Sequence, residues 1–407
     1  MYLHIGEPKS GTTYLQQMLW TNRAALRAEG LFLPGEPMDH WHAAEDLQQV
    51  AKASNDPFGP VTGAWNRLAA QARRASHKAV ISHELLAAVD AEQAARGVRA
   101  LGSADVHVIL TVRDIATLLP AEWQESIKHG TARSWPDWLS DVIDHESVSA
   151  NRRDWWFWRV HDTLEILRLW SEVVPREHVH VITLPSRDAD QDLLWTRFAQ
   201  VVGIDASTAD PTKARSNVSL GLAETEFLRR LNGTLPDSLP DWFYWRNIKD
   251  GLAHEAFAAR TATPLARLAL PAERDEWARQ HAESVIDGLR AADYDVIGEL
   301  DELLPPELPE RRPDPSDATD AELLAASMDA VVHLVMQLAD TQGVSLGADA
   351  APHGDKTHGP LGRALIELSR RSRTVHRLRR AYWNVVNAVR SIRRTSRWRS
   401  VDDRNIT

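Results

Sequence analysis

Cysteine does not occur among the 407 residues, so no disulfide, thiolate metal ligand or catalytic thiol can contribute, and the fold must stand on packing. A reducing, cytoplasmic setting is the expectation. Long apolar runs are missing as well. The chain opens YLHIGEPKSGTT, without a basic segment leading into an apolar stretch, and no later window approaches 18 uninterrupted apolar residues. Neither export nor membrane spanning is expected on that pattern. Positive charge is in deficit. A net charge of −10 argues against a general nucleic-acid binder, which recruits backbone phosphates with surplus Lys and Arg.

Hydrophobic content of 43% and charged content of 26% are ordinary globular values and leave room for a substantial core. Two features are uneven. Trp, at 16, outnumbers Phe (7) and Tyr (5) together, with a dense group at Trp155, Trp156, Trp158, Trp242 and Trp245. Such rings serve core packing first, and an acceptor pocket second. The segment Arg363–Arg399 holds 12 Arg, no Lys and one Glu, leaving the remainder strongly acidic. Its apolar residues Leu368, Val375, Leu378, Tyr382, Val385, Val389 and Ile392 fall mostly three and four apart, which predicts a basic amphipathic helix. Such a helix suits peripheral contact with anionic lipid, an acidic surface, or homo-oligomerisation.

Short apolar runs at Tyr2–Ile5, Ala79–Ile81, Val106–Val112 and Val179–Leu184 alternate with helical patterns, the signature of βαβ units and a mainly parallel sheet. Leu15, Met18, Leu19 and Leu26 predict one helix after the first strand, stopping near Gly30. Further helices are predicted at Ile115–Lys128, Asp162–Val174, Leu193–Val202 and Ala321–Ala339. Ser219–Leu300 reads as mostly helical, interrupted at Asp241–Trp245. The proline-rich, charged stretch 304–320 reads as a linker, dividing a main domain (1–303) from a C-terminal extension (321–407).

Gly6-Glu7-Pro8-Lys9-Ser10-Gly11-Thr12-Thr13 joins the first strand to the first helix, where free N–H groups and the helix dipole favour a phosphate-like anion. The two glycines fit the frame of a Walker A loop, but Thr12 stands where that motif has Lys. The lysine comes earlier, at Lys9. A nucleoside triphosphatase would thereby lose a main contact to its β- and γ-phosphates, which implies a different terminal group. In an open parallel sheet ligands bind beyond the carboxyl ends of strands. Two more strand ends carry chemistry: Ser82-His83-Glu84 and Arg113-Asp114. Asp39-His40-Trp41-His42 has too few ligands at too short a spacing for a metal site and is expected at the surface or a pocket rim.

The PKSGTT loop followed by an aromatic residue resembles the 5′-phosphosulfate loop of the sulfotransferase family, over Met1 to about Leu300. The resemblance implies an α/β fold of the P-loop NTPase type: a mainly parallel central sheet flanked by helices, with a helical cap and a C-terminal helical extension. It implies a sulfuryl donor, 3′-phosphoadenosine 5′-phosphosulfate (PAPS), no metal, and a small-molecule, glycan or lipid acceptor. Lys9 would then contact the oxygen bridging phosphorus and sulfur. Gly11, Thr12 and Thr13, next to Ser10, would hold the 5′-phosphate, and Tyr14 would stack on adenine. His83, or Glu84 as some branches use, would take the acceptor's proton, for which a neutral imidazole near its reference pKa of about 6.5 is suited. Arg113 would bind the 3′-phosphate. The Ser that the family places eight residues later is Ala121 here, leaving Ser126 or Lys128 as substitutes, and Lys213 and Arg215 stand as candidates for the missing nucleotide lid. A nucleotide kinase or NTPase with a degenerate loop, and a non-catalytic nucleotide- or membrane-binding protein, are the competing readings.

Overall fold

The computed structural model describes residues 1–50, 61–75, 77–102, 105–148, 155–186, 189–190, 192–214, 220–257, 268–310 and 312–342. The chain divides into two compact units, Met1–Gln337 and Leu338–Thr407. The Arg-rich helix expected at 363–399 lies outside the described residues.

In chain order the elements are β1 (Tyr2–Gly6), α1 (Thr12–Thr21), α2 (Arg23–Ala28), β2 (Leu31–Phe32), α3 (Pro37–Leu47), α4 (Ala64–Ala72), β3 (Lys78–Ser82), a 3₁₀ turn (Glu84–Ala88) and α5 (Ala91–Ala100). There follow β4 (His107–Val112), α6 (Ile115–Lys128), α7 (Trp135–Val148), α8 (Trp156–His161), α9 (Thr163–Ser171), β5 (Val179–Thr183) and α10 (Leu193–Val202). The chain continues with α11 (Leu222–Asn232), α12 (Asp241–Tyr244) running on in wider π-type turns over Trp245–Ala256, α13 (Asp275–Ala292), β6 (Asp295–Ile297) and α14 (Asp320–Thr341).

All six strands are parallel, in the order β2-β3-β1-β4-β5-β6. The protein is therefore α/β, with helices on both faces of a parallel sheet. Strand residues alternate between two cores. Leu3, Ile5, Ile81, Val108 and Leu110 pack with Trp65, Leu86 and Trp170 on one face. Val80, Ile109 and Ile182 pack with Leu15, Leu19 and Phe198 on the other. Burial on both faces is why these strands read as near-continuous apolar runs. A third core, rich in Trp123, Trp135, Trp138 and Trp158, joins α6, α7 and α8 to α11 and the π-type segment. Among the described residues Trp65, Trp123, Trp135, Trp138, Trp158, Trp170 and Trp195 are buried, whereas Trp156 is 47% exposed.

β1 is the pivot of the topology. The chain first builds β2 and β3 on one side of it, then crosses to β4 on the other. Loops after β1, β3 and β4 consequently open on one edge at the point where strand order reverses, the usual place for a ligand in an open α/β sheet.

Several differences from the sequence expectations have local causes. β2 and β6, of two and three residues, are too short for a periodicity signal. The first predicted helix breaks in two at Asn22, whose amide donates to the Met18 carbonyl and to the Asp210 carbonyl. Asp241–Trp245 starts a helix rather than interrupting one, because Pro240 precedes it and α12 runs on through the π-type turns. α14 is long and apolar enough to cross a membrane by length and composition. A search for uninterrupted apolar runs passes over it because Asp329 breaks the pattern. Ala326 and Ala330 pack in the Trp-rich core, whereas Leu324, Met328, Val331, Val332 and Val335 are exposed.

Candidate functional site

The loop between β1 and α1 is shaped by backbone that turns left-handed twice, at Lys9 (φ 58°) and Gly11 (φ 86°). Glycine is favoured at position 11 on two counts. Its φ disfavours any side chain, and a Cβ there would collide with Leu194 and press on Leu184. Ser10 is fully buried; its hydroxyl donates to the Glu7 carbonyl and bonds Thr111 Oγ1 at 2.6 Å, which pins the loop against β4. Its role here is to shape the loop. No side chain caps α1, so the leading N–H groups at Thr12 and Thr13 have no side-chain acceptor at the positive end of the helix dipole. Tyr14 is half-buried and its hydroxyl donates to Asp192 Oδ1 at 3.2 Å. Burial, and then Asp192 and Asp190, push that phenol up.

Lys9 leaves the loop toward α6, where its Nζ lies 2.6 Å from Glu125 Oε2. Two more lysines meet the same carboxylate: Lys128 Nζ at 3.2 Å and Lys249 Nζ at 3.1 Å. Lys128 and Lys249 are only 10% and 13% exposed, so three ammonium groups share one carboxylate in a partly desolvated place. Burial, with Lys9 and Lys249 beside it, holds Lys128 below the ordinary lysine range in spite of Glu125. Burial opposes ionisation of Glu125, yet His129 and the three lysines together hold its carboxyl far below the carboxylate range. Lys249 also donates to His129 Nε2 at 2.6 Å and lies 4.5 Å over the Trp245 ring. Trp245 in turn stacks on Trp41 of α3 at 6.0 Å. Arg113, at the end of β4, donates from Nη1 to the Lys9 carbonyl at 3.1 Å and so props the loop from the other side.

The end of β3 adjoins this loop. His83 N–H donates to the His4 carbonyl of β1 at 3.0 Å, and a Cβ on Gly6 would lie 3.1 Å from the Glu84 Cα. Gln16 of α1 donates to Glu84 Oε2 at 2.8 Å. His83 caps the following 3₁₀ turn: its Nδ1 accepts the Leu85 N–H at 3.2 Å. Burial lowers the His83 pKa against the pull of Glu84 and Glu45. For Glu84, burial is outweighed by His83, by its own backbone N–H and by Gln16, so its carboxyl sits below the usual range. Lys9, His83, Glu84 and Arg113 thus share one sheet edge.

His40, expected at the surface or a rim, is instead buried. It donates from Nε2 to the Pro34 carbonyl at 2.8 Å and accepts the Ser82 N–H at 3.0 Å, anchoring α3 to the end of β3. Of the substitutes for the missing hydroxyl at Ala121, Lys128 reaches the Lys9 cluster, whereas Ser126 turns its hydroxyl onto the Trp123 carbonyl of its own helix. Lys213 is about half exposed and pairs with Asp210 at 3.6 Å. Arg215 lies outside the described residues.

Beneath the loop sits a group with no sequence signal, because its members come from the loop itself and from α6, α8 and α9. His161 is fully buried between Glu7 (Nδ1–Oε2, 3.6 Å) and Glu122 (Nε2–Oε2, 3.7 Å), and Thr163 donates to Glu7 Oε1 at 2.5 Å. Both ring nitrogens lie outside hydrogen-bond reach of a partner, so these are ion contacts. Burial works against the imidazolium, but Glu122 and Glu7 outweigh it and push His161 up to about 9. A small cavity of about 20 Å³ lies beside Glu7 and His161 and reaches Arg113. Glu125, Lys249 and His129 are the remaining site residues missed in sequence. Only the Glu125–Lys128 spacing of three on a helix offered a hint, and Lys249 offered none.

No family model and no curated protein matches the chain. Among solved structures, a sulfotransferase from Alicyclobacillus acidocaldarius is similar to it at 14% identity and a TM-score of 0.35, over 53% of this chain and 85% of that one.

Proposed function

We propose that this protein is a sulfotransferase, moving the sulfuryl group of PAPS to a hydroxyl or amine of an acceptor. The observation that carries the reading is the gathering of Lys9, Lys128 and Lys249 on the single carboxylate of Glu125, next to the uncapped start of α1. Three partly buried cations meet one carboxylate directly, with Glu122 acting on Lys9 from farther off, and burial of incompletely paired charge is costly. An anionic ligand removes that cost. A nucleotide with phosphate at both its 5′ and 3′ positions supplies charge for the loop and for Arg113 together.

In this scheme the loop N–H groups hold the 5′-phosphate, and Lys9 turns from Glu125 to the bridging oxygen while Lys128 and Lys249 retain Glu125. The acceptor oxygen bonds to sulfur, the bond from sulfur to the bridging oxygen breaks, and Lys9 stabilises the charge left on the phosphate. Glu84 takes the acceptor's proton. His83 is the poorer base because its Nδ1 lone pair already accepts the Leu85 N–H, so in the neutral ring Nε2 carries the hydrogen. His83 therefore orients Glu84 and offers a donor.

Calorimetric titration with 3′-phosphoadenosine 5′-phosphate (PAP), beside ATP with Mg²⁺, tests the donor. The wild type should prefer the doubly phosphorylated nucleotide without metal, and Lys9→Ala should weaken it. Equal or better binding of ATP would remove the reading.

A further inference from the structure

The amino-terminal edge of the sheet, opposite the loop, collects a second cluster. Parallel pairing of β4, β5 and β6 sets Ile109 beside His180 and His180 beside Asp295. His107 opens β4, and His178 and Asp105 lie just before β5 and β4. The three imidazoles lie nearly flat on one another, His107 being 4.2 Å from His178 at 25° and 5.2 Å from His180 at 14°.

Hydrogen bonds fix their protons in sequence. His180 Nδ1 lies 2.6 Å from Asp295 Oδ2, and a carboxylate only accepts, so that nitrogen carries the hydrogen. In the neutral ring His180 Nε2 is then a bare acceptor, and His107 Nδ1, 2.9 Å away, must donate to it. That leaves His107 Nε2 as a lone pair, facing Asp105 Oδ2 at 3.5 Å. On the other side, His178 Nδ1 lies 3.2 Å from Asp105 Oδ1 and has no hydrogen-bond partner. A lone pair, an unsatisfied imidazole nitrogen and a carboxylate therefore converge, all within 4.8 Å of one another. Acceptors facing each other repel unless a cation lies between them.

We infer that His107 Nε2, His178 Nδ1 and an Asp105 oxygen bind one divalent transition-metal cation of the zinc class. Imidazole and carboxylate are ligands of that class, and zinc bonds of about 2.0–2.2 Å need the three groups to close by roughly an ångström. Asp105, 73% exposed, is free to make most of that movement. His180 and Asp295 supply the outer support that metal-binding histidines usually have. β4 alone spans six residues, roughly 20 Å at about 3.3 Å each, so the ion is remote from Lys9 and clamps the start of β4 to that of β5.

The test uses tag-free, full-length protein stripped with chelator, titrated with Zn²⁺ by calorimetry and with Co²⁺ by visible absorption. One saturable site is expected, with the Co²⁺ bands of an imidazole-ligated ion. His178→Ala, His107→Ala and Asp105→Asn should each abolish it. His180→Ala should weaken it by about 10–100-fold, the usual effect of losing an outer partner. PAP binding should be unchanged in all four, so failure here is separable from failure of the donor assignment. Thermal melts identify any variant that does not fold, and the isosteric Asp105→Asn keeps the question decidable in that case. The inference fails if the wild type shows no saturable binding, or if folded His178→Ala or Asp105→Asn protein binds as the wild type does.

Discussion

Lys9 Nζ on the loop after β1 sits 2.6 Å from Glu125 Oε2 on α6, across 116 residues of chain. The contact couples the loop after β1 to the π-type segment, because Lys249 of that segment meets the same carboxylate. In the proposed reaction, donor binding divides this cluster.

Lys9→Ala should therefore lower sulfuryl transfer by about 10²–10³-fold, the range for removing one preorganised charge stabiliser, while weakening PAP by less than about tenfold. Single-turnover rates with PAPS, set beside PAP titrations, measure the two separately. Equal losses in rate and affinity would make Lys9 a binding residue only.

Glu84→Gln should reduce turnover by about 10²–10⁴-fold with little change in PAP affinity, as expected for loss of a general base. His83→Asn retains a capping acceptor for the Leu85 N–H and should fold normally with a smaller loss. The reverse pattern of rates would move the base to His83.

Gly11→Ala places a methyl against Leu194 at a residue whose φ is 86°. A stability loss of about 1–3 kcal/mol, by urea unfolding, and loss of PAP binding are expected together. A variant with wild-type stability and affinity would show that the loop is freer than its packing suggests.

His161 gives stability a pH dependence with a defined sign. Its folded pKa of about 9 exceeds the ordinary 6.5, so its contribution is complete below about pH 6.5 and disappears as pH rises through about 9. At about 1.4 kcal/mol per pKa unit, the contribution is at most about 3 kcal/mol. The stability gap between wild type and His161→Gln, from denaturant melts, should shrink between pH 6 and pH 9.5. A gap that is constant or widens with pH would contradict the ion contacts with Glu7 and Glu122.

Legibility followed the range of the interactions. Leu3, Ile5, Val108, Leu110 and Val181 announced their strands because burial on both sheet faces demands apolar runs, and Ile115–Lys128 and Leu193–Val202 kept helical period from end to end. Leu31–Phe32 and Asp295–Ile297 escaped because pairing with β3 and β5, and not their own pattern, makes them strands. Likewise the tautomer of His83, set by a cap hydrogen bond, has no trace in residue order.

By itself the amino-acid order determined a parallel α/β sheet, a glycine-bounded loop with an early lysine, and polar or charged residues just past the ends of three strands, since each depends on residues within one or two turns of chain. Tertiary structure alone decided that Lys249 and Lys128 join Lys9 on Glu125, that His161 lies buried between Glu7 and Glu122, and that His107, His178 and Asp105 converge at the far edge. Those arrangements depend on which strands and helices become neighbours, and electrostatic energy depends on distance in space, which spacing along the chain does not encode.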